Sequence, residues 1–498
     1  MLSATTTPHT AWSAFAEDGG WNGKIYSGGW KEPGLGTAPI TEKATGEVLG
    51  YTGIASESDV AAAASDAHAA QAEWAQVPGP VRGDVLRRFS QLLLEHSAQI
   101  AERMIRETGS PRAKAEWEVR MTSREALEAA NLGSAPTGSV VASAEVGRHS
   151  IARRIPLGVV GVITPWNSPL LLGTRAVAPA LVMGNAVLLK PDVQTPSVGG
   201  FLFAELLEDA GLPRGLLHVL PGAIETGQAL VKEPAVDMIS FTGSTRGGRN
   251  VGSVAGGALK RVSLELGGNN PYIVLDDADL EAAASAGAFG SYFHQGQICL
   301  TAGRHLVHER VADAYLDILV RKTKALTVGN PLTDDVDLGP IVNERQAAHA
   351  EKIVTDSAAA GARVLAGGSR AGLFFEPTVL AGVTPGMAAF DEEIFGPIAP
   401  ITTFRDDEEA IALANRTNYG LVAAVVSADV TRAQLVADRL HAGVVHINDQ
   451  TVLHEVYGPI GGVGDSGNGF NHSTLTNADQ FTEWQWLTSR TEIPSYPF

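Results

Sequence analysis

The only cysteine of the chain, Cys299, lies in the stretch SYFHQGQICLTAG (291–303), among Gly296, Gln297 and Thr301 rather than in an apolar run. A lone cysteine is ordinarily a small buried hydrophobe. Small polar neighbours and a glycine three residues upstream point instead to a strand-to-helix or loop-to-helix turn. Backbone N–H groups facing the sulfur there would lower the thiol pKa from about 8.5. A thiolate so placed attacks a carbonyl carbon, and the charge that builds on an aldehyde oxygen needs rigid hydrogen-bond donors. Asn167 in TPWNSP is a candidate donor. It follows an apolar strand and stands between Pro165 and Pro169, which restrict its backbone; an Asn that merely makes the turn is the alternative. Glu265 in SLELGGNNP ends an apolar strand just before a Gly pair. A partly buried carboxylate there would have a raised pKa, as a general base for water requires; a structural salt bridge is the other reading. Glu393 in DEEIFGP fits a base, a ribose contact or a surface acid.

Two further segments suit a nucleotide. FTGSTRGG (241–248) follows a strand and opens a helix whose free N–H groups could take a pyrophosphate. Lys190 ends the apolar strand AVLLK before Pro191, and the carboxyl ends of strands are where open α/β sheets bind ligands.

The elements that must position these residues alternate. From Asp59 to about Ala130 the spacing predicts helices, with a break at Pro78 and Gly79 and a stop at Gly109. Residues 131–155 read as a hairpin or extended arm. GVVGVIT, AVLLKP, GLLHVLPG, DMISFTGST and RVSLELGG then read as strands separated by helices, one of them capped at Ser197 and stopped at Gly211. Four or more such alternations mean a mainly parallel α/β sheet. A second α/β stretch starts at PYIVLDD, and a Gly-rich loop (458–469) precedes an extended-looking tail with Trp484 and Trp486.

Composition narrows the classes. A chain of 498 residues suggests about three domains. One cysteine excludes an intrachain disulfide and any multi-cysteine metal site, so no metal is expected. It also fits a reducing compartment, and a cytoplasmic location is expected. The N-terminus shows no basic stretch feeding an apolar segment. The most apolar region, 155–174, is broken by prolines and glycines, so a buried strand, a loop and a helix start fit it better than a membrane span. A formal net charge of −18 gives no reason to hold nucleic acid.

TPWNSPL, LLKPDVQTP, FTGST, LELGGNNP, FHQGQIC, EEIFGP and GGVGDSGNG together resemble the aldehyde dehydrogenase superfamily, in the family's order and over nearly the whole chain. Cys299 follows Glu265 by 34 residues, as in that family. The resemblance implies an α/β fold with a Rossmann-type nucleotide-binding domain (1–131 and 153–264) and an α/β catalytic domain (265–446). It also implies an oligomerisation hairpin and arm (132–152 and 470–498), with 447–469 returning through the active-site region. It implies a homodimer or homotetramer in which the tail strand extends a neighbour's sheet.

The resemblance makes Cys299 the nucleophile, Glu265 the base, and Asn167 the oxyanion donor together with the Cys299 backbone N–H. It gives Lys190 the ribose hydroxyls, Ser244 the pyrophosphate and Glu393 the nicotinamide-side ribose. Phe395 flanks the nicotinamide, and Thr164, Pro165, Trp166, Gly243 and Gly267 complete the crevice. The cofactor implied is NAD. Val193 stands where many NAD-preferring members carry a ribose-binding Glu, which leaves NADP open. GAFGSYFHQGQIC, KPDVQTP and INDQT look most like the benzaldehyde and vanillin dehydrogenase branch. Ser168 would leave room for an aromatic ring, Phe293 would stack on it, Tyr457 would form a wall and His454 would meet a ring hydroxyl. An aliphatic or semialdehyde dehydrogenase on the same scaffold, and a catalytically silent structural homologue, are the alternatives.

Overall fold

A computed structural model describes residues 20–498. The first 19 residues of the expected nucleotide-binding segment lie outside the described residues. Two seven-stranded sheets organise the chain. Across the first, the strands run in the order Arg261–Glu265, Met238–Thr242, Val159–Ile163, Ala186–Lys190, Leu217–Val219, Ile25–Ser27 and Trp30–Lys31. The first five are parallel; the last two pair antiparallel at the edge. Every residue of Val159–Ile163 and Ala186–Lys190 is buried, as parallel strands covered on both faces require. The chain builds outward from Val159–Ile163 on one side, then returns to add Met238–Thr242 on the other. A crevice therefore opens between these two strands, at the carboxyl edge of the sheet. The register sets Ile163 opposite both Lys190 and Phe241, and Thr242 opposite Glu265, so four strand ends lie level along one rim.

The second sheet runs Arg363–Ala366, Thr378–Ala381, Ile398–Phe404, Ala302–His308, Asn270–Val274, Val422–Val426, Val444–Ile447. All its pairs are parallel except the first. The last strand crosses the boundary expected at 446.

The helical region differs in detail from expectation. It divides into Glu57–Trp74, Gly79–Glu95, Ser97–Thr108 and Arg112–Leu132. The run between Gly79 and Gly109 breaks at His96, whose φ of −108° and ψ of 16° end one helix and begin the next. Gly109 does stop its helix, with φ +73°. Ser197 does not cap the helix that follows it: it opens a wide turn, Ser197–Phe201, and makes no capping bond. Its Oγ instead accepts from Arg103 (2.9 Å), while Glu107 accepts from the Val198 amide (3.3 Å).

The arm and tail form a small sheet of their own: Thr482–Ser489, His149–Pro156, Gly138–Val140. The arm strand continues to Pro156, past the expected boundary at 152. Thr482 to Ser489 pair antiparallel with Pro156 to His149 of the same chain. Arg154 sits 4.2 Å above the Trp484 ring, and Trp486 Nε1 donates to Ser150 Oγ (2.7 Å). Both rings are nevertheless more than half exposed (55% and 69%) on an edge strand. Among the described residues, no helix is long and apolar enough to cross a membrane.

Candidate active site

Cys299 does not open a helix. It lies in a turn between the helix Leu280–Tyr292 and the strand Ala302–His308. Three consecutive residues, His294, Gln295 and Gly296, take positive φ (52°, 56° and 66°) to make the reversal. That conformation is costly for residues with a Cβ, and it persists because the surroundings hold it. Gln295 Nε2 donates to the carbonyls of Gly109 (2.8 Å) and Pro340 (2.9 Å). Asn270 Nδ2 donates to the carbonyls of Cys299 and Thr301, each at 2.8 Å. Thr301 Oγ1 donates to the Gly296 carbonyl (3.1 Å).

This placement corrects the expected lowered thiol pKa. The sulfur follows a helix C-terminus and precedes a strand rather than opening a helix. Burial, with the Glu265 and Glu393 carboxylates nearby, pushes Cys299 up to about 12, although the Arg175 guanidinium opposes the shift.

Asn167 is buried, and its Nδ2 donates to the Gln297 carbonyl at 2.9 Å, two residues before the nucleophile. One of its two amide hydrogens remains for a ligand. Glu265 ends its strand at the crevice; its carbonyl accepts from the Gly243 amide (3.0 Å). Its Oε1 is buried without a hydrogen-bond partner. Burial raises the Glu265 pKa to about 8, offset in part by Arg175.

The nucleotide candidates surround the same crevice. Lys190 is buried, and desolvation lowers its pKa while Asp192 partly restores it. Thr164 Oγ1 is buried and unpartnered, and its amide donates to the Lys190 carbonyl (3.2 Å). Ser244 caps the helix Thr245–Gly257, its Oγ accepting from the Gly247 amide. Val193 follows in the loop after Lys190 and brings no carboxylate. Glu393, raised to about 7 by burial, accepts from the Gly268 amide at 2.8 Å. A Cβ at Gly267 would stand 2.2 Å from Glu393 Oε2, which is why this position is bare. Trp166 and Phe395 meet edge to face at 5.5 Å, closing the crevice from opposite sheets. Phe395 also has positive φ (52°), and its carbonyl accepts from Gln346 (3.2 Å). A cation and a carboxylate for ribose hydroxyls, a helix start for phosphate and an aromatic pair together fit a nicotinamide dinucleotide.

The expected substrate wall is only partly assembled. Phe293 stacks on Phe289 (4.7 Å) and meets Trp117 edge-on (5.9 Å). Trp117 also packs on His454 (6.2 Å). His454 is buried, with Nδ1 2.6 Å from Arg175, while its Nε2 makes no hydrogen bond. Glu125 sits 3.6 Å from Arg175 and 3.3 Å from His454. Ser168 is buried and makes no capping bond. Tyr457 is 55% exposed. Sequence reasoning missed Trp117, Arg175, Asn270 and Gln346. Only a single arginine in the otherwise uncharged stretch 169–182 could have signalled one of them.

Known proteins agree with this architecture. Residues 30–487 match the model of the Aldehyde dehydrogenase family, and the chain belongs to that family. It is 50% identical over 486 residues to a vanillin dehydrogenase from an Amycolatopsis species, covering 97% of this chain and all of the relative. A benzaldehyde dehydrogenase [NAD(+)] from Pseudomonas putida is 46% identical, with 96% and 98% covered. The crystal structure of betaine aldehyde dehydrogenase from Staphylococcus aureus in complex with NAD+ superimposes with a TM-score of 0.92 at 31% identity, covering 96% of this chain and 97% of that one.

Proposed function

We propose that the protein oxidises an aromatic aldehyde of the benzaldehyde type to its carboxylate with NAD+, through a covalent intermediate on Cys299. The observation that carries this reading is the meeting of three groups. The nucleophile loop and the Asn167 amide are joined at Gln297 (2.9 Å), and Glu265 is buried in the same crevice with one oxygen unpartnered. Similarity to vanillin and benzaldehyde dehydrogenases, together with the Trp117–Phe293–Phe289 wall, supports an aromatic substrate.

The Cys299 sulfur adds to the carbonyl carbon. Its proton passes to the Glu265 carboxylate and on to solvent. The carbonyl oxygen becomes the oxyanion of a thiohemiacetal, held by the second Asn167 amide hydrogen and the Cys299 backbone N–H. A bound nicotinamide supplies the hydride acceptor. Collapse leaves a thioester on Cys299. Glu265 then removes a proton from water, which attacks the thioester and frees both the carboxylate product and the thiol.

Lys190 and Glu393 would hold the two riboses, Ser244 and the start of its helix the pyrophosphate, and Phe395 would flank the nicotinamide, with Trp166 packed edge to face against it. Thr164, Pro165, Gly243 and Gly267 shape the walls. Val193 leaves space for a 2′-phosphate, so NADP serves as a second cofactor. Residues 20–131 and 157–264 act as the nucleotide-binding domain and 265–447 as the catalytic domain, the arm keeping its strand to Pro156. The edge strand Thr482–Ser489, with Trp484 and Trp486, joins a neighbour in a homodimer or homotetramer. The reading places the enzyme in the cytoplasm, where its thiol stays reduced.

Steady-state rates with benzaldehyde, vanillin, succinic semialdehyde and hexanal, each with NAD and NADP, test the assignment. Aromatic aldehydes with NAD should give the highest kcat/KM. A clear win for succinic semialdehyde would remove the aromatic assignment. No reduced nicotinamide with any pair would leave a silent homologue.

A further inference from the structure

The loop that carries Asn167 has no secondary structure of its own, yet an oxyanion donor has to be rigid before the charge forms. Two side chains of the helix Arg112–Leu132 supply that rigidity. Lys114 and Glu118 are fully buried and one helical turn apart, with Nζ 2.5 Å from Glu118 Oε2. Lys114 Nζ also donates to the Asn167 carbonyl at 2.7 Å. Glu118 Oε1 accepts from the amides of Leu170 (3.0 Å) and Leu171 (3.2 Å), the first available N–H groups of the helix Pro169–Val182. Pro169 has no N–H, and Ser168 makes no capping bond. The carboxylate of another helix thus does the capping, where the helix dipole favours negative charge.

A buried ion pair is a poor source of net stability, because desolvating both charges offsets most of their attraction. Apolar residues of similar volume would fill the space as well. What such residues could not do is grip a carbonyl on one side of Asn167 and two amides on the other.

We propose that Lys114 and Glu118 are positioning residues for the oxyanion amide: a two-charge clamp that fixes the Asn167 backbone so that its free N–H points at the substrate oxygen. The inference rests on Asn167 being the oxyanion donor. The clamp touches neither substrate nor cofactor and acts only through Asn167.

A double-mutant cycle with purified full-length protein, benzaldehyde and NAD tests it. Asn167→Ala alone should lower kcat about a hundredfold. Lys114→Met alone should lower kcat about ten- to a hundredfold, the loss expected from a misplacement near 1 Å, with the Kd for NAD unchanged. Lys114→Met added to Asn167→Ala should cost less than about threefold, because the group it positions is already gone. Lys114→Gln, which keeps a donor without the charge, should fall between Lys114→Met and the parent and provides a folded comparison. Thermal melts confirm that each variant is folded. If Lys114→Met and Lys114→Gln both turn over at the parent rate, the clamp does not position the amide. If Lys114 substitution multiplies its full loss onto Asn167→Ala, the pair acts elsewhere. If Asn167→Ala itself is fully active, it is the oxyanion assignment that falls.

Discussion

The two rims of the crevice are held differently. The first is made of strand ends: Ile163, Lys190, Thr242 and Glu265 lie level, and the loops leaving them carry Asn167 and Ser244. The second is made of strand beginnings: Asn270 and Ala302 start adjacent strands, and Cys299 and Phe395 lie just before two such starts. Charge fixes the Asn167 loop of the first rim, through Lys114 and Glu118. Neutral amides hold the nucleophile loop and its neighbours on the second, Asn270, Gln295, Gln297 and Gln346, while the buried Arg304 holds the Asn269 carbonyl behind them. The division has an electrostatic logic. A charge locked against the nucleophile loop would bias the sulfur permanently. Neutral clamps leave its ionisation to three charged groups outside the loop, Arg175, Glu265 and Glu393.

Each substitution below probes one side of that division. Removing the sulfur is the largest: Cys299→Ala should lose at least about 10⁴-fold in turnover, followed as reduced-nicotinamide absorbance. Next, Glu265→Gln should lower steady-state turnover by about 10²- to 10⁴-fold and leave a thioester on Cys299 visible by intact mass. The parent rate should climb as pH rises through about 8, because Glu265 works as the carboxylate and burial holds it protonated below that value. The same raised pKa has a stability sign. The neutral acid is the form favoured on folding, so its contribution is full below about 4.5 and fades as pH rises through about 8. Glu265→Gln should therefore melt higher relative to the parent at pH 9 than at pH 6, and an equal difference at both would contradict this.

On the amide-held rim, Asn270→Ala frees the carbonyls of Cys299 and Thr301 and should cost about 1–3 kcal/mol of stability along with a clear drop in kcat. A variant with unchanged kcat would show that the turn holds itself. Smaller still, Trp117→Ala should reduce the kcat/KM preference for benzaldehyde over hexanal by about three- to tenfold. Tyr457→Phe should change every rate less than about twofold, since the ring is 55% exposed. A larger effect there would return Tyr457 to the substrate wall.

What could be read from the sequence follows the same division. The strand–helix alternation of the first sheet, and Asn167 and Glu265 at strand ends, announce themselves because apolar runs stop abruptly at polar residues. Lys114 and Glu118 do not: a Lys and a Glu four apart in RAKAEWEV look like a solvated face, and only tertiary packing puts them in the core. Trp117 is hidden in the same helix. Asn270 in GGNNP reads as a turn residue, although it begins a fully buried strand. The thiol pKa went the wrong way because its sign depends on which element Cys299 borders and on two carboxylates brought from elsewhere in the chain, and local composition encodes neither. The break at His96 likewise lacks a Gly or Pro to mark it.

Gly296 has a consequence beyond its own turn. A Cβ there would lie 2.1 Å from the carbonyl oxygen of Gly396, and Gly396 follows Phe395 directly. Main chain therefore rests on main chain between the segment bearing the sulfur and the segment bearing Glu393 and Phe395, with no pliable side chain between them to absorb a displacement. A displacement of the segment bearing Phe395 and one of the turn bearing the sulfur are therefore coupled through the backbone at Gly296 and Gly396.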